Sequence, residues 1–177
     1  MHLRRLRPGR AAFFVALVAL MLLAASAAGA ASRAPRLSPD GLGPVHFGMD
    51  ADQAEAALGS PVDAEPGIND CTFWTFPGGA QGIAFGGQLG YISLYRRGAK
   101  TSRGIEVGDG LTRLRHRYRG KLHKGRSASL GAADLRLFAS SRNGDATYEL
   151  EFDIVDGKVA FISAGTRHTI ETFGECA

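Results

Sequence analysis

Val45-His46-Phe47-Gly48-Met49-Asp50-Ala51-Asp52-Gln53-Ala54-Glu55-Ala56-Ala57-Leu58-Gly59 is the stretch that decides the fold, because its outline returns in Ile105 to Gly120. From each glycine, Gly48 or Gly108, apolar residues stand six and ten positions on: Ala54 and Leu58 in the first copy, Leu114 and Tyr118 in the second. That spacing suits one face of a short helix entered through a glycine turn. A short apolar strand precedes each, Val45 to Phe47 and Ile105 to Val107. The reading is an α+β protein of two tandem modules. Each module has a short strand, a helix and a three-stranded antiparallel meander, with the helices on one sheet face.

The first helix is expected from Asp50, a suitable N-cap, to Leu58, where Gly59-Ser60-Pro61 stops it; the second runs from about Gly110 to Tyr118. Strands are expected at Cys71–Phe76, Gly82–Gly86 and Tyr91–Tyr95, then at Leu135–Ser140, Ala146–Ile154 and Lys158–Ser163. Pro77-Gly78-Gly79, Gly86-Gly87, Asn143-Gly144-Asp145 and Asp156-Gly157 read as their turns, and Val62–Asp70 and the basic stretch through Ser129 as loops. The organisation is therefore a signal peptide over 1–30, a flexible lead-in over 31–40, a first module over 41–96, a linker over 97–103 and a second module over 104–177.

The N-terminal segment is an address. Arg4, Arg5, Arg7 and Arg10 form a basic region, an apolar run follows from Ala11, and Ala28-Gly29-Ala30 supplies small residues for cleavage after Ala30. The competing reading is an uncleaved anchor. The residues after Arg4-Arg5 lack the rest of a twin-arginine pattern, so general secretion is expected, to the medium or the envelope. Removing the four arginines of this segment brings the 21 basic residues of the 177-residue chain level with its 17 acidic ones. A balanced chain gives no case for nucleic acid or an anionic membrane. The balance is uneven along the chain: Asp50, Asp52 and Glu55 mark the first helix region, and Arg113, Arg115, Arg117, Arg119, Lys121, Lys124 and Arg126 the second and the stretch after it. Such a run either is a solvated helix face or steers an acidic partner.

Cys71 and Cys176 are the two cysteines. In an oxidising compartment they read as one disulfide, closing a loop of about 105 residues and contributing roughly 4 to 5 kcal/mol. Pairing of Cys176 between molecules is the alternative. Neither has the spacing of a redox or zinc site.

No catalytic pattern is present. There is no G-x-S-x-G elbow, and His46, His116, His123 and His168 are scattered. Glu149, Glu151 and Asp153 alternate along one strand, as a glycosidase or calcium site requires, but the outer face of an amphipathic strand accounts for them. Gly78-Gly79 and Gly86-Gly87 lie between strands and not at a strand-to-helix step, so they do not support a phosphate loop. No cofactor or metal is expected.

Gly41-Leu42-Gly43-Pro44-Val45, Phe47-Gly48-Met49, Ala54 and Leu58-Gly59 carry a resemblance, continued by Asp70-Cys71-Thr72-Phe73-Trp74, Ser102 to Asp109 and Glu175-Cys176-Ala177. They resemble a family of uncharacterised bacterial secreted proteins over most of the exported chain. The plan is similar to the tandem repeats of beta-lactamase inhibitory proteins and, more remotely, to small outer-membrane assembly lipoproteins. The resemblance implies a sheet presented to other proteins without chemistry. The chain departs from the inhibitory proteins in that its cysteine pair would link the two modules.

Strand alternation says where binding occurs. With Ile92 and Leu94 toward the helices, Tyr91 and Tyr95 point away; with Cys71 and Phe73 inward, Trp74 and Phe76 point outward. In the second module Leu135, Leu137, Tyr148, Leu150 and Phe152 face inward and leave Arg136, Phe138, Glu149 and Glu151 open. Trp74, Phe76, Tyr91, Tyr95, Arg136 and Phe138 are thus the expected binding residues of a monomeric, non-enzymatic protein that takes another secreted or envelope protein. Trp74 and Tyr91 must then be accessible. The alternatives are a small-molecule or glycan site built on the same aromatics, and a hydrolase with an unrecognised site.

Overall fold

Local chemistry sets the elements of the computed structural model, which describes residues 34–125, 135–143, 146–172 and 176. In chain order they are β1 (Arg36–Ser38), β2 (Gly41–Leu42), β3 (Val45–His46), α1 (Ala51–Leu58), β4 (Asp63–Pro66), β5 (Cys71–Thr75), β6 (Gln81–Phe85), β7 (Gln88–Leu94) and β8 (Lys100–Thr101). There follow α2 (Leu111–Arg117), β9 (His123–Lys124), β10 (Leu135–Asn143), β11 (Ala146–Val155), β12 (Lys158–Thr166) and α3 (Arg167–Thr172). The expected signal peptide, the Gly144-Asp145 turn, the Arg126–Ser129 loop, Glu175 and Ala177 lie outside the described residues.

Helix α1 begins in a capping box: the Asp50 carboxylate accepts from the Gln53 amide at 2.9 Å, and the Gln53 side-chain oxygen accepts from the Asp50 amide at 3.2 Å. It ends at Gly59, whose φ of 68° is the left-handed conformation a helix stop needs. Helix α2 starts after Gly110, with Tyr118 at its C-cap.

The protein is α+β and strand-rich. One sheet has eight strands in the order β4-β5-β6-β7-β12-β11-β10-β9, antiparallel throughout. Each half of the chain contributes a helix followed by four strands that pair in succession. Gly48 donates its amide to the Leu89 carbonyl at 2.7 Å and Leu89 donates to Met49 at 2.9 Å; Gly108 donates to Val159 at 2.7 Å and Val159 to Asp109 at 2.8 Å. Gly48 and Gly108 share a φ of 89°. A second, four-stranded sheet, β3-β2-β1-β8, joins the start of the described chain to the expected linker through parallel pairing of β1 with β8.

Several expectations need correction. The lead-in contains β1, whose Leu37 is fully buried, and the linker contains β8. Ile105–Val107 is not a strand, although Ile105 is a core residue. The meanders have four strands, not three, because β4 and β9 add short edges within segments read as loops. Both are exposed, each carries charged or polar residues, and β4 ends in proline. Edge strands of that kind carry no hydrophobic alternation to read. Helix α3 was not expected, and it packs on the sheet face opposite α1 and α2.

The main core lies between the eight-stranded sheet and α1, α2 and the small sheet. Ala54, Leu114 and Tyr118 meet Trp74, Phe76, Ile92, Leu94, Leu150, Phe152 and Ile162 there. On the other face, Ile170 of α3 joins Cys71, Ile83, Tyr91 and Cys176. Cys71 and Cys176 form a disulfide, with Cα atoms 5.7 Å apart across 105 residues of sequence. Replacing both with serine should lower unfolding stability by roughly 4 kcal/mol, from restored chain entropy in the unfolded state. Urea unfolding of the oxidised parent, the reduced parent and the double variant checks this, the last two being expected to coincide.

Candidate binding face

The side of the eight-stranded sheet away from α1 and α2 carries the residues of interest. Register defines its rows. One row runs Gln81, Ser93, Ser163, Glu151, Phe138, His123, from β6 across to β9. The next places Phe161 opposite Asp153 and Asp153 opposite Arg136. Tyr95 extends it, its ring centroid 4.7 Å from that of Phe161. Tyr95, Phe161, Asp153 and Arg136 therefore form a line of aromatic, aromatic, acid and base.

Asp153 and Arg136 of this line also belong to an ionic network. The Arg136 Nε lies 3.3 Å from a Glu151 oxygen and donates to Asp153 Oδ1 at 3.1 Å. Glu149 Oε1 accepts from Arg167 at 3.0 Å and from the Ser140 hydroxyl at 3.2 Å, and lies 3.7 Å from His123 Nε2. Glu149, Glu151 and Asp153 are all buried. The strand alternation of these acids holds, but they are not a solvated outer face. Burial raises the Asp153 carboxyl pKa above its ordinary 3.8, against the pull of Arg136. Burial also pushes the Tyr91 hydroxyl well above its ordinary value. Among the described residues no three His, Cys, Asp or Glu side chains gather to hold a metal ion.

The six expected binding residues separate. Trp74 and Phe76 are on the opposite face, packed edge to face at 6.1 Å in the main core and 2% exposed. Trp74 is opposite Gly82, which is opposite Ile92, so all three share the row that faces the helices. Tyr91 and Phe138 occupy the expected face but are 1% and 2% exposed. Phe138 stacks with the His123 ring at 5.8 Å and lies under the Arg167 guanidinium. Arg136 is tied into the network. Tyr95 alone of the aromatics is open, at 50%. With Trp74 and Tyr91 both buried, the continuous aromatic surface does not form. The sequence reading missed Phe73, on this face and 37% exposed, and Phe161, half-buried beside Tyr95. Phe161 reaches this face through the pairing of β7 with β12, and alternation from Cys71 turns Phe73 inward in the sequence reading.

No protein-family model and no curated protein matches the sequence. Among solved structures, the chain is similar to an extracellular protein containing an SCP domain from Bacillus anthracis str. Ames, with 12% identity and a TM-score of 0.46. The likeness covers 72% of this chain and 46% of that one, so the chain spans about half of the neighbour's length.

Arg136→Met leaves Glu151 and Asp153 buried without their guanidinium and should cost about 3 to 5 kcal/mol at neutral pH. For Asp153 the folded state holds its proton more tightly than the unfolded chain. Its contribution to stability is full below 3.8 and is lost as pH rises through the folded pKa. Asp153→Asn should abolish that fall, which urea unfolding across the acidic range measures.

Proposed function

We propose that this is an exported, monomeric, non-enzymatic protein that binds another envelope or extracellular protein through the side of its large sheet away from α1 and α2, on the part beside α3. The observation carrying the reading is the Tyr95 and Phe161 pair, one ring open and the other its support, standing beside the Asp153 and Arg136 ion pair. Aromatic rings fixed on a rigid base make effective interface anchors because little side-chain freedom is lost on binding. Phe73 extends the surface toward β5. One oxygen of each buried carboxylate is engaged by an arginine, and that of Glu149 also by Ser140, which favours a structural base over general acid chemistry.

Export is supported by the basic and apolar N-terminal pattern and by the disulfide, which persists in oxidising compartments. No helix among the described residues is long and apolar enough to cross a membrane. We also read the two halves as tandem modules. The matching hydrogen bonds of Gly48 with Leu89 and Gly108 with Val159 support this, as does the shared sequence of one helix and four strands.

Two measurements test the proposal. N-terminal sequencing of the exported protein should begin at Ala31. The immobilised oxidised protein should retain one protein from the producing cell's envelope or secreted fractions, and Tyr95→Ser with Phe73→Ser should lose it. With that protein purified, each change should weaken binding by about 2 kcal/mol. Retention of a glycan or small molecule in its place would favour the alternative ligand class. Equal retention by parent and folded variant overturns the proposed surface.

A further inference from the structure

A second site lies away from the sheet face. Arg36 of β1, Lys100 of β8, the following Ser102, Arg103 and Gly104, and Arg113 and Arg117 of α2 line one open cavity of about 410 Å³. Five of the seven lining residues are cationic and none is acidic. Two are partly neutralised from outside the lining: Lys100 pairs with Glu106 at 3.2 Å, and Arg113 with Asp109 at 3.1 Å. The Glu106 carboxyl is held below its ordinary pKa by the Gly98 amide and by Lys100, so it stays ionised.

Two of the other three have neutral partners. Arg36 donates to the Thr101 carbonyl at 3.4 Å. Arg103 donates to the Arg117 carbonyl at 3.2 Å and lies 5.3 Å from the centre of the Tyr118 ring. Arg117 makes no ion pair with any described carboxylate. Carbonyl and ring contacts orient a guanidinium but do not cancel its charge. Like charges gathered around one cavity repel, and an anion bound among them relieves that repulsion.

We infer that this cavity binds a multiply charged phosphate compound. A planar monocarboxylate satisfies one guanidinium fork. A phosphoryl group presents several oxygens in different directions, matching cations that approach from β1, from the loop after β8 and from one side of α2. The volume accommodates more than a single phosphoryl group, and five cations suit a ligand of several negative charges. An inorganic or soluble polyphosphate and an anionic lipid headgroup share this chemistry.

The test is calorimetric titration of the oxidised exported protein with sodium tripolyphosphate, beside vesicle flotation with phosphatidic acid in phosphatidylcholine. The parent should bind tripolyphosphate saturably and gain melting temperature from it. Arg103→Gln with Arg117→Gln should weaken binding by about tenfold or more. Arg115→Gln with Arg142→Gln removes the same charge outside the cavity and should bind as the parent does. Vesicle capture displaced by tripolyphosphate and lost in the cavity variant supports the site with lipid phosphate as its source. Tripolyphosphate binding without vesicle capture supports it with a soluble source. Absence of saturable binding, or equal weakening in both variants, overturns the inference. Melting curves without ligand keep the test valid, since removing repelling charges should leave the cavity variant as stable as the parent.

Discussion

Antiparallel pairing of β7 with β12, from Tyr91 opposite Gly165 to Leu94 opposite Ile162, joins two four-stranded runs into one sheet. It requires a close approach at Gly165. A Cβ there would stand 2.5 Å from the Thr169 hydroxyl and 2.8 Å from the Gly90 carbonyl, distances that backbone and helix cannot both yield. Absence of a side chain therefore lets α3 lie over the seam. From that position Ile170 covers Tyr91, and the chain end brings Cys176 to Cys71 in the first half. The pairing also sets the register by which Tyr95 meets Phe161, so the disulfide and the candidate binding face depend on one contact.

The two faces of this sheet follow different physics. Toward α1 and α2 the contact is apolar, and its stability comes from area removed from water. Toward α3 and beyond, three carboxylates, two arginines and a histidine are drawn together on β9, β10, β11 and α3. Desolvating such groups costs about as much as their mutual attraction returns, so the network adds little net stability. Its effect is orientational. Arg136 bridges neighbouring residues on one side of β11, and Arg167 ties α3 to the same strand while covering the Phe138 ring.

Legibility in the sequence followed the strength of the local pattern. Strands β10, β11 and β12 are long and alternate cleanly, and Arg136, Phe138, Glu149 and Glu151 were placed on the correct face from that alternation. Their burial was not readable, because it depends on α3 and on cross-strand partners remote in sequence. Phe73-Trp74-Thr75-Phe76 is apolar on both sides, so alternation gives two faces without saying which is the core. A one-residue slip inverts every assignment there. The register of Trp74 through Gly82 to Ile92 resolves it, together with the covalent tie of Cys71 to the α3 side. The cationic cavity was hidden for a related reason. Its arginine run was visible, but Arg36 and Lys100 enter through the β1 and β8 pairing, which two short strands do not announce.

On the tandem reading, the two halves keep one frame and diverge in what they hang on it. The frame is the glycine turn that bonds to the second residue of the fourth strand in each meander, Gly48 to Leu89 and Gly108 to Val159. Counting from those glycines, Arg113 and Arg117 of the cavity correspond to Gln53 and Ala57 in α1. Gln53 is committed to the capping box, and Ala57 packs against the main core. The first helix is thus fastened at the positions where the second projects positive charge. A duplicated frame can hold one helix by its cap and its small apolar face and free the other for solvent. The α2 wall of the cavity then belongs to the second half, facing Arg36 of β1 and Lys100 of β8, and the exposed Phe73 belongs to the first. Tyr95, just past β7, and Phe161 of β12 come one from each half, so the binding face draws an aromatic ring from both.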